Sequence, residues 1–437
     1  MNRYLFFLLL PGLLAVSCGK KASVAEERRL AERILQDTLM DRVSAMALEV
    51  VRGGFNAGDG YGEVWIRDYN TFIELAMEVM PDSLIRDNLL TFFRFQGETG
   101  DIVDGFIDIR RASHSSIAYK YRYTALEPRY AAHKNTVETD QESSLVQAVW
   151  RYVTQSGNRA FLQQTVEGKT VERRLEEALE YLLRERYDER YGLLWGATTA
   201  DWGDVQPEHP WGVELDENSH RCLDIYDNAF FVIAMNHFLD LTERPEARKR
   251  WTELRDQVKA RIRTHLWDAE KRKFIPHIYL EGSPFPPDFD EHAVYYHGGT
   301  AMAIEAGLLT QAEIAASNQA MLANVEASGA LSIGLTLYPP YPEGFFQNKG
   351  MHPYGYQNGG DWTWFGGRMI RQLIRYGFVQ EAYDEVRPML ERVIKNGGFF
   401  EWYRIDGTPS GSGTFRGSAG VLHQAIEEFR HWAKIHQ

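Results

Sequence analysis

The chain has 437 residues, with 44% hydrophobic and 25% charged side chains and a formal charge of −13. That balance excludes a disordered chain and a multi-span membrane protein, while the length exceeds the roughly 150 residues of one ordinary core and fits two or three domains or one large toroid or barrel. The basic runs, Arg173–Arg174 and 248–263, are interleaved with Glu and Asp on amphipathic stretches, so no basic stripe is offered to nucleic acid.

Residues 1–17 read as an export signal. Arg3 supplies a positive n-region, residues 4–14 a short apolar run, and Ala15-Val16-Ser17-Cys18 a small-residue cleavage site ending in cysteine. Roughly eleven apolar residues fall short of the about 20 that span a bilayer. The cysteine placement resembles a bacterial lipobox. Cys18 is then the expected lipidation site, residues 18–25 a tether, and the bacterial cell envelope, periplasm or outer surface, the expected location. A plain secretory signal with an incidental Cys18 is the alternative. Cys222, the one other cysteine, is left without an intramolecular partner, so the fold is expected to form without a disulfide. It reads as a buried thiol, because His220 nearby completes no nucleophile arrangement.

From residue 26 helical periodicity dominates. Apolar residues recur at i, i+3, i+4 and i+7 over 26–51, 83–95, 142–155, 171–186, 229–241, 244–266, 293–306, 311–327, 363–376, 379–395 and 417–435, with a short run at 70–79. Strand signals are few, the best at 105–110, 273–279 and 331–337, all in long connections. No linker breaks 26–437, which predicts one continuous domain of about twelve helices. Short connections such as 242–243 alternate with long ones such as 275–292. A toroid of αα-hairpins does this, with tight turns on one rim and functional loops on the other. No fixed-period motif marks a solenoid.

Six stretches dense in tryptophan, tyrosine, carboxylate and glycine interrupt the helices: EVWIRDYN at 63–70, ETDQES at 138–143, LLWGATTADWGD at 193–204, DIYDN at 224–228, YQNGGDWTWFGGR at 356–368 and FFEWYRIDG at 399–407. That combination suits a sugar. The C–H faces of a pyranose stack on aromatic rings, its hydroxyls pair with carboxylates and amides, and cleaving its acetal takes two carboxyl groups. Each stretch also has a plainer reading. Asp201-Trp202-Gly203-Asp204 can set an acid beside a stacked sugar, or be a loop of helix-capping aspartates. Glu401 between Phe400 and Trp402 is partly desolvated, which suits proton transfer, or it is an outward residue on a strand edge. Arg67-Asp68 beside Trp65, and Asp140-Gln141-Glu142, can cap and pair within the protein as readily as bind a ligand. Gln357 and Asn358, with two glycines following, supply amides and close backbone approach that a plain helix start does not require.

Taken in order, WIRD, DQES, GLLWG with DWGD, YDN, QNGG with WTW, and FFEW with GTPSGSGTF resemble the glucosidase domain of glycogen debranching enzymes and the wider group of six-hairpin glycoside hydrolases, over about residues 60–430. The resemblance implies an all-α fold, an (α/α)6 toroid with a few short strands in long loops. It places Asp204 at the family's general acid and Glu401 at its general base, with Asp201 the fallback acid, and it implies sugar contacts from Asp68, Asp140, Gln357 and Asn358. Trp65, Arg67, Gln141, Glu142, Trp195, Trp202, Tyr226, Asp227, Asn228, Trp362, Trp364 and Trp402 complete the expected sugar-binding set, with Trp65, Trp202, Trp362 and Trp402 as stacking platforms. The expected reaction is inverting hydrolysis of an oligosaccharide, by default at an α-glucoside or related α-hexoside. Inversion calls for carboxyls about 6.5–9.5 Å apart, retention for about 5–5.5 Å.

The chain also departs from the debranching pattern. It has room only for the toroid, its 356–368 stretch is richer in glycine, and 205–211 forms an insertion carrying Pro207, His209 and Pro210, all of which leaves the sugar open. The alternatives are a glycan-binding lipoprotein without catalysis and a toroidal glycoside phosphorylase. His292 and His297 are five apart, off the spacing of a shared helical face, and 288–291 reads as an acidic loop, so no metal or cofactor is expected and calcium is left open. A monomer is expected.

Overall fold

The computed structural model describes residues 23–112, 119–210 and 214–437. The export signal, Cys18 and the end of the 205–211 insertion, Trp211, lie outside the described residues.

Helices dominate. In chain order they are α1 (Val24–Leu35), α2 (Thr38–Arg52), α3 (Ile66–Val79), α4 (Asp82–Arg94), the single turn α5 (Ile109–Ala112), α6 (Gln141–Ser156), α7 (Val171–Glu185), α8 (Ile225–Leu241), α9 (Pro245–His265), α10 (His297–Glu305), α11 (Gln311–Ser328), α12 (Thr363–Arg375), α13 (Val379–Asn396) and α14 (Arg416–Ile435). Helices α3, α6, α8, α10, α12 and α14 pack side by side in that order, and α14 returns to α3 to close an inner ring. Behind them, α2 lies against α3 and α14, α4 against α3 and α6, α7 against α6 and α8, α9 against α8, α11 against α10, and α13 against α12. Each outer helix leads in sequence to the next inner one, so the chain is an all-α (α/α)6 toroid of six hairpins.

Side-chain patterning explains the two layers. Helix α8 is apolar almost all round, burying Ile225, Phe230, Phe231, Val232, Ile233 and Met235, as a helix clasped between ring neighbours and an outer layer must be. Helix α9 buries only Ala247, Trp251, Val258 and Ile262 and turns its arginines and glutamates outward. Ring closure is backbone against backbone. A Cβ on Gly420 of α14 would come within 2.4 Å of the Thr71 carbonyl oxygen and 2.6 Å of Phe72 Cα in α3, so only glycine lets the last helix seal onto the first.

Connections from inner to outer helices are short, at 80–81, 242–244, 306–310 and 376–378, with 157–170 the longer exception. Those from outer to inner helices are long, at 53–65, 95–140, 186–224, 266–296, 329–362 and 397–415, and they hold most of the short strands. Several boundaries differ from the sequence expectation. The predicted helix 26–51 is two helices, because Asp37 accepts the Leu39 N–H at 3.0 Å and starts a new one. The helix predicted at 70–79 starts at Ile66, which puts Arg67 and Asp68 in its first turn. The helix predicted at 293–306 starts at His297, since Tyr295–Tyr296 pairs with Leu337–Tyr338. The 105–110 signal becomes Gly105–Asp108, the middle strand of an antiparallel sheet between Val64–Trp65 and Tyr130–His133. The 273–279 signal splits into Lys273–Phe274 and Ile278–Tyr279, and 331–337 keeps only its last residue.

Candidate active site

Each long loop delivers the chain to the N-terminus of an inner helix, where unpaired N–H groups favour negative charge. All six aromatic and acidic stretches therefore meet on one rim. A cavity of about 420 Å³ opens there, carrying five carboxylates, Asp68, Asp104, Glu138, Asp204 and Glu401. Tyr61, Trp65, Tyr119, Tyr356 and Trp402 wall it, and Trp202, Trp362, Trp364 and Phe415 close it below.

Asp204 and Glu401 reach this cavity from the loops before α8 and α14. These helices stand three places apart in a ring of six, so the two acids come from opposite sides of the toroid. Asp204 is the more open, with its side chain 28% exposed; its Oδ1 accepts the Gln357 Nε2–H at 2.8 Å and its Oδ2 lies 3.9 Å from Arg67. Glu401 is buried, and its Oε2 accepts from the Tyr61 hydroxyl at 2.8 Å and the Ser412 N–H at 3.1 Å. Burial pushes the Glu401 carboxyl up, those two donors oppose the rise, and the charge of Asp204 adds to it.

Arg67 is the hub of the floor. It pairs with Glu138 and lies 3.9 Å from Asp104, 3.8 Å from Asp140 and 3.9 Å from Asp204. Burial works against its charge, and the surrounding carboxylates more than offset that. Asp68, next in sequence, has no hydrogen-bond partner for its carboxyl among the described residues and faces the cavity. Burial lifts it to about 7, the pull of Arg67 opposes this, and Glu401, Asp104 and Asp204 reinforce it. Burial likewise lifts Asp104 to about 6. Asp68 and Asp104 thus hold protons at pH values where ordinary aspartates have lost them.

The expected platforms divide into two kinds. Trp65 and Trp402 are half-buried cavity walls, and a Cβ on Gly105 would come within 2.5 Å of Trp65 Cδ1, so the neighbouring strand leaves room for the indole. Trp202 and Trp362 are each only 2% exposed. Trp202 stacks on Phe365 at 4.4 Å and meets Trp362 and Trp364 edge-on, making an aromatic plug rather than an open face.

Several expected sugar ligands lie outside the cavity and bond within the protein. Asp201 caps α10, accepting the N–H groups of Gly298 at 2.7 Å and Gly299 at 2.8 Å. Asp140 accepts the Tyr226 hydroxyl at 2.9 Å, and Gln141 and Glu142 accept from Lys134 at 2.6 and 2.7 Å. Asp227 donates its N–H to Asp224, the cap of α8, at 2.8 Å. Asn228 clips the Leu194 backbone, donating to its carbonyl at 2.9 Å and accepting from its N–H at 2.8 Å. Asn358 clips Tyr341 and Met351 in the same way. Trp195 lies under the guanidinium groups of Arg186 and Arg221, 4.5 and 5.0 Å from its ring centre.

Cavity residues missing from the expected set are Tyr61, Asp104, Tyr119, Glu138, Val205, Asn348, Gly350, Tyr356 and Phe415. Glu138 and Tyr356 stand inside stretches already singled out, and Tyr61 sits among Gly58, Gly60 and Gly62, a glycine-rich loop that marks close backbone approach. Tyr119 and Asp104 carry no local signal. Among the described residues no group of three or more His, Cys, Asp or Glu side chains is placed to hold a metal ion, and Glu291 of the acidic 288–291 run is bonded to His277, Tyr279 and Tyr341.

No protein-family model matches the chain, and no curated protein sequence does. Solved structures do. The GH63 mannosylglycerate hydrolase from Thermus thermophilus, in complex with glucose, gives a TM-score of 0.63 at 16% identity over 87% of this chain and 99% of that one. The GH78 family rhamnosidase of Bacillus sp. GL1 gives 0.60 at 16% identity over 89% of this chain and 34% of that one. The rhamnosidase from Klebsiella oxytoca with rhamnose bound gives 0.58 at 14% identity, covering 90% and 64%. The chain spans about a third of the first rhamnosidase's length and under two thirds of the second's. At such identities the likeness is one of architecture, and by ring, hairpin order and loop placement this chain has the six-hairpin, (α/α)6-toroid fold of those glycosidases.

Proposed function

We propose that this protein is an exported glycoside hydrolase that cleaves a glycosidic bond of an oligosaccharide with inversion, Asp204 acting as general acid and Glu401 as general base. The observation that carries this reading is a single aromatic-walled cavity into which opposite sides of the ring each deliver one of these carboxyls. Asp204 gives its proton to the glycosidic oxygen as the C1–O bond breaks, while Glu401 takes a proton from the water that attacks C1. Asp204 ends ionised and Glu401 protonated, and exchange with solvent resets both.

Trp65 and Trp402 stack the sugar, and the unpartnered Asp68 bonds its hydroxyls. The buried plug of Trp202, Trp362 and Trp364 suits attack at a chain end. Arg67, the one cation in the lining among the described residues, is already taken by carboxylates, which disfavours an anionic ring. An α-glucoside or related α-hexoside fits, and glucose in the Thermus structure and rhamnose in the Klebsiella one make glucosides and rhamnosides the first to screen. The same reading gives Cys18 a lipid and holds a monomeric enzyme, working without a cofactor, at the bacterial envelope.

Incubation with a panel of neutral oligosaccharides, followed by NMR of the first-formed anomer, tests it. Release of a sugar of inverted configuration is expected. A retained anomer removes the mechanism, phosphate-dependent turnover makes the protein a phosphorylase, and binding without any product makes it a glycan receptor.

A further inference from the structure

The Gln357 side chain grips Asp204 at two points. Its Nε2–H donates to Oδ1 at 2.8 Å and its Oε1 accepts the Asp204 backbone N–H at 3.3 Å. The surroundings are built around this grip. A Cβ on Gly203 would come within 2.7 Å of Gln357 Oε1, so the residue before the acid has to be glycine for the amide to approach. Tyr356 is held at a φ of 40°, a left-handed conformation that strains a tyrosine and persists only where neighbouring contacts enforce it. Those contacts are present. The Trp362 Nε1–H donates to the Tyr356 carbonyl at 2.8 Å, and Asn358 is fixed by bonds to the Tyr341 N–H at 2.8 Å and to the Tyr341 and Met351 carbonyls at 2.9 Å. Both chain neighbours of Gln357 are therefore pinned.

We propose that Gln357 is the positioning residue of the acid, fixing which oxygen of Asp204 carries the proton. The proposal rests on Asp204 being the general acid of the hydrolysis above. With the amide N–H on Oδ1, that oxygen is the acceptor of the protonated carboxyl, and the hydrogen sits on Oδ2. As the C1–O bond breaks, its electron pair goes to the leaving oxygen, the Oδ2 hydrogen follows, and Asp204 is left as carboxylate. Gln357 keeps both of its own hydrogens. Its bond to Oδ1 tightens as charge develops there, because hydrogen bonds to ionised acceptors are the stronger ones, so the grip favours the transition state over the ground state.

The test compares an unactivated glycoside with the glycosyl fluoride of the same hexose, using the hexose that the wild-type protein releases. Fluoride departs without needing the proton of Asp204. For Gln357→Ala, kcat on the glycoside is expected to fall roughly 10- to 100-fold, with KM unchanged and the fluoride rate within about threefold of wild type. Gln357→Glu keeps the shape but offers no donor at neutral pH, so it loses the glycoside rate and regains it as the pH is lowered and the new carboxyl gains a proton. Equal losses on both substrates with a raised KM would make Gln357 a sugar ligand and overturn the proposal, as would full glycoside activity in either variant. Asp204→Asn separates the two readings. If it spares the glycoside rate, or loses the fluoride rate equally, the acid assignment itself fails.

Discussion

Replacing Asp201 by alanine strands two N–H donors at the start of α10, those of Gly298 and Gly299. Both are buried, each costs about 1–3 kcal/mol when left unpaired, and the pair costs about 2–6 kcal/mol. With 437 residues at about 2.1 cal/mol/K of unfolding entropy each, the chain carries about 0.9 kcal/mol/K, and 1 kcal/mol moves the melting midpoint by about 1 °C. Asp201→Ala is therefore expected to melt about 2–6 °C lower, and Asp201→Asn, which keeps one acceptor, about 1–3 °C lower. Turnover below the midpoint stays within about tenfold of wild type, since Asp201 lies outside the cavity lining. Asp204→Asn reverses the pattern. Its partly exposed side chain leaves the midpoint within about 1 °C, while kcat on unactivated glycosides falls by about 10²- to 10⁴-fold. Scanning calorimetry beside kcat measurements distinguishes the two acids. If Asp201→Asn abolishes turnover at an unchanged midpoint, the assignment of a cap at 201 and an acid at 204 is refuted.

Tyr61→Phe removes the hydroxyl donor that favours the ionised form of Glu401, so the Glu401 carboxyl rises further and the acid limb of the kcat/KM profile moves to higher pH. An unmoved limb would place the base elsewhere. Trp402→Ala is expected to raise KM about 3- to 10-fold through lost stacking. Trp202→Ala, in the buried plug, costs about 3–5 kcal/mol and lowers the midpoint by about 3–5 °C; a KM effect without destabilisation would make Trp202 an open platform. Asp68 ionises at about 7 in the fold against an ordinary value of 3.8. Its contribution to stability is complete below the unfolded value and is lost as pH rises through the folded one. The wild-type midpoint should therefore decline across that window and Asp68→Asn should flatten the decline. Superimposable pH curves for the two proteins would show that Asp68 is not buried as described.

The toroid was legible because its signals are collective. Amphipathic runs and the alternation of short and long connections survive errors at single boundaries, and the break at Asp37 or the early start of α3 changes nothing in the ring order. The site was legible only as a rim. Asn228 and Asn358 looked like sugar ligands because an amide that clips a backbone and one that grips a hydroxyl have the same sequence signature. Asp140 and Asp201 bond inward for the same reason, their partners being fixed only by the third dimension. Tyr61 and Tyr119 were hidden by the opposite effect. Each takes its place in the cavity beside residues far along the chain, as with the 340 positions separating Tyr61 from Glu401.

That separation also bears on when the protein becomes competent. Glu401 sits in the last hairpin and the hydroxyl that holds it in the first, and the glycine seam between α14 and α3 is what brings them together. Five hairpins can assemble, secondary structure can be nearly complete, and Glu401 still lacks the Tyr61 hydroxyl. Contacts of such long range form late, after the loop-closure entropy of the whole ring has been met. Refolding followed by circular dichroism would then run ahead of recovered turnover, and the chain would stay inert until its final helix had docked.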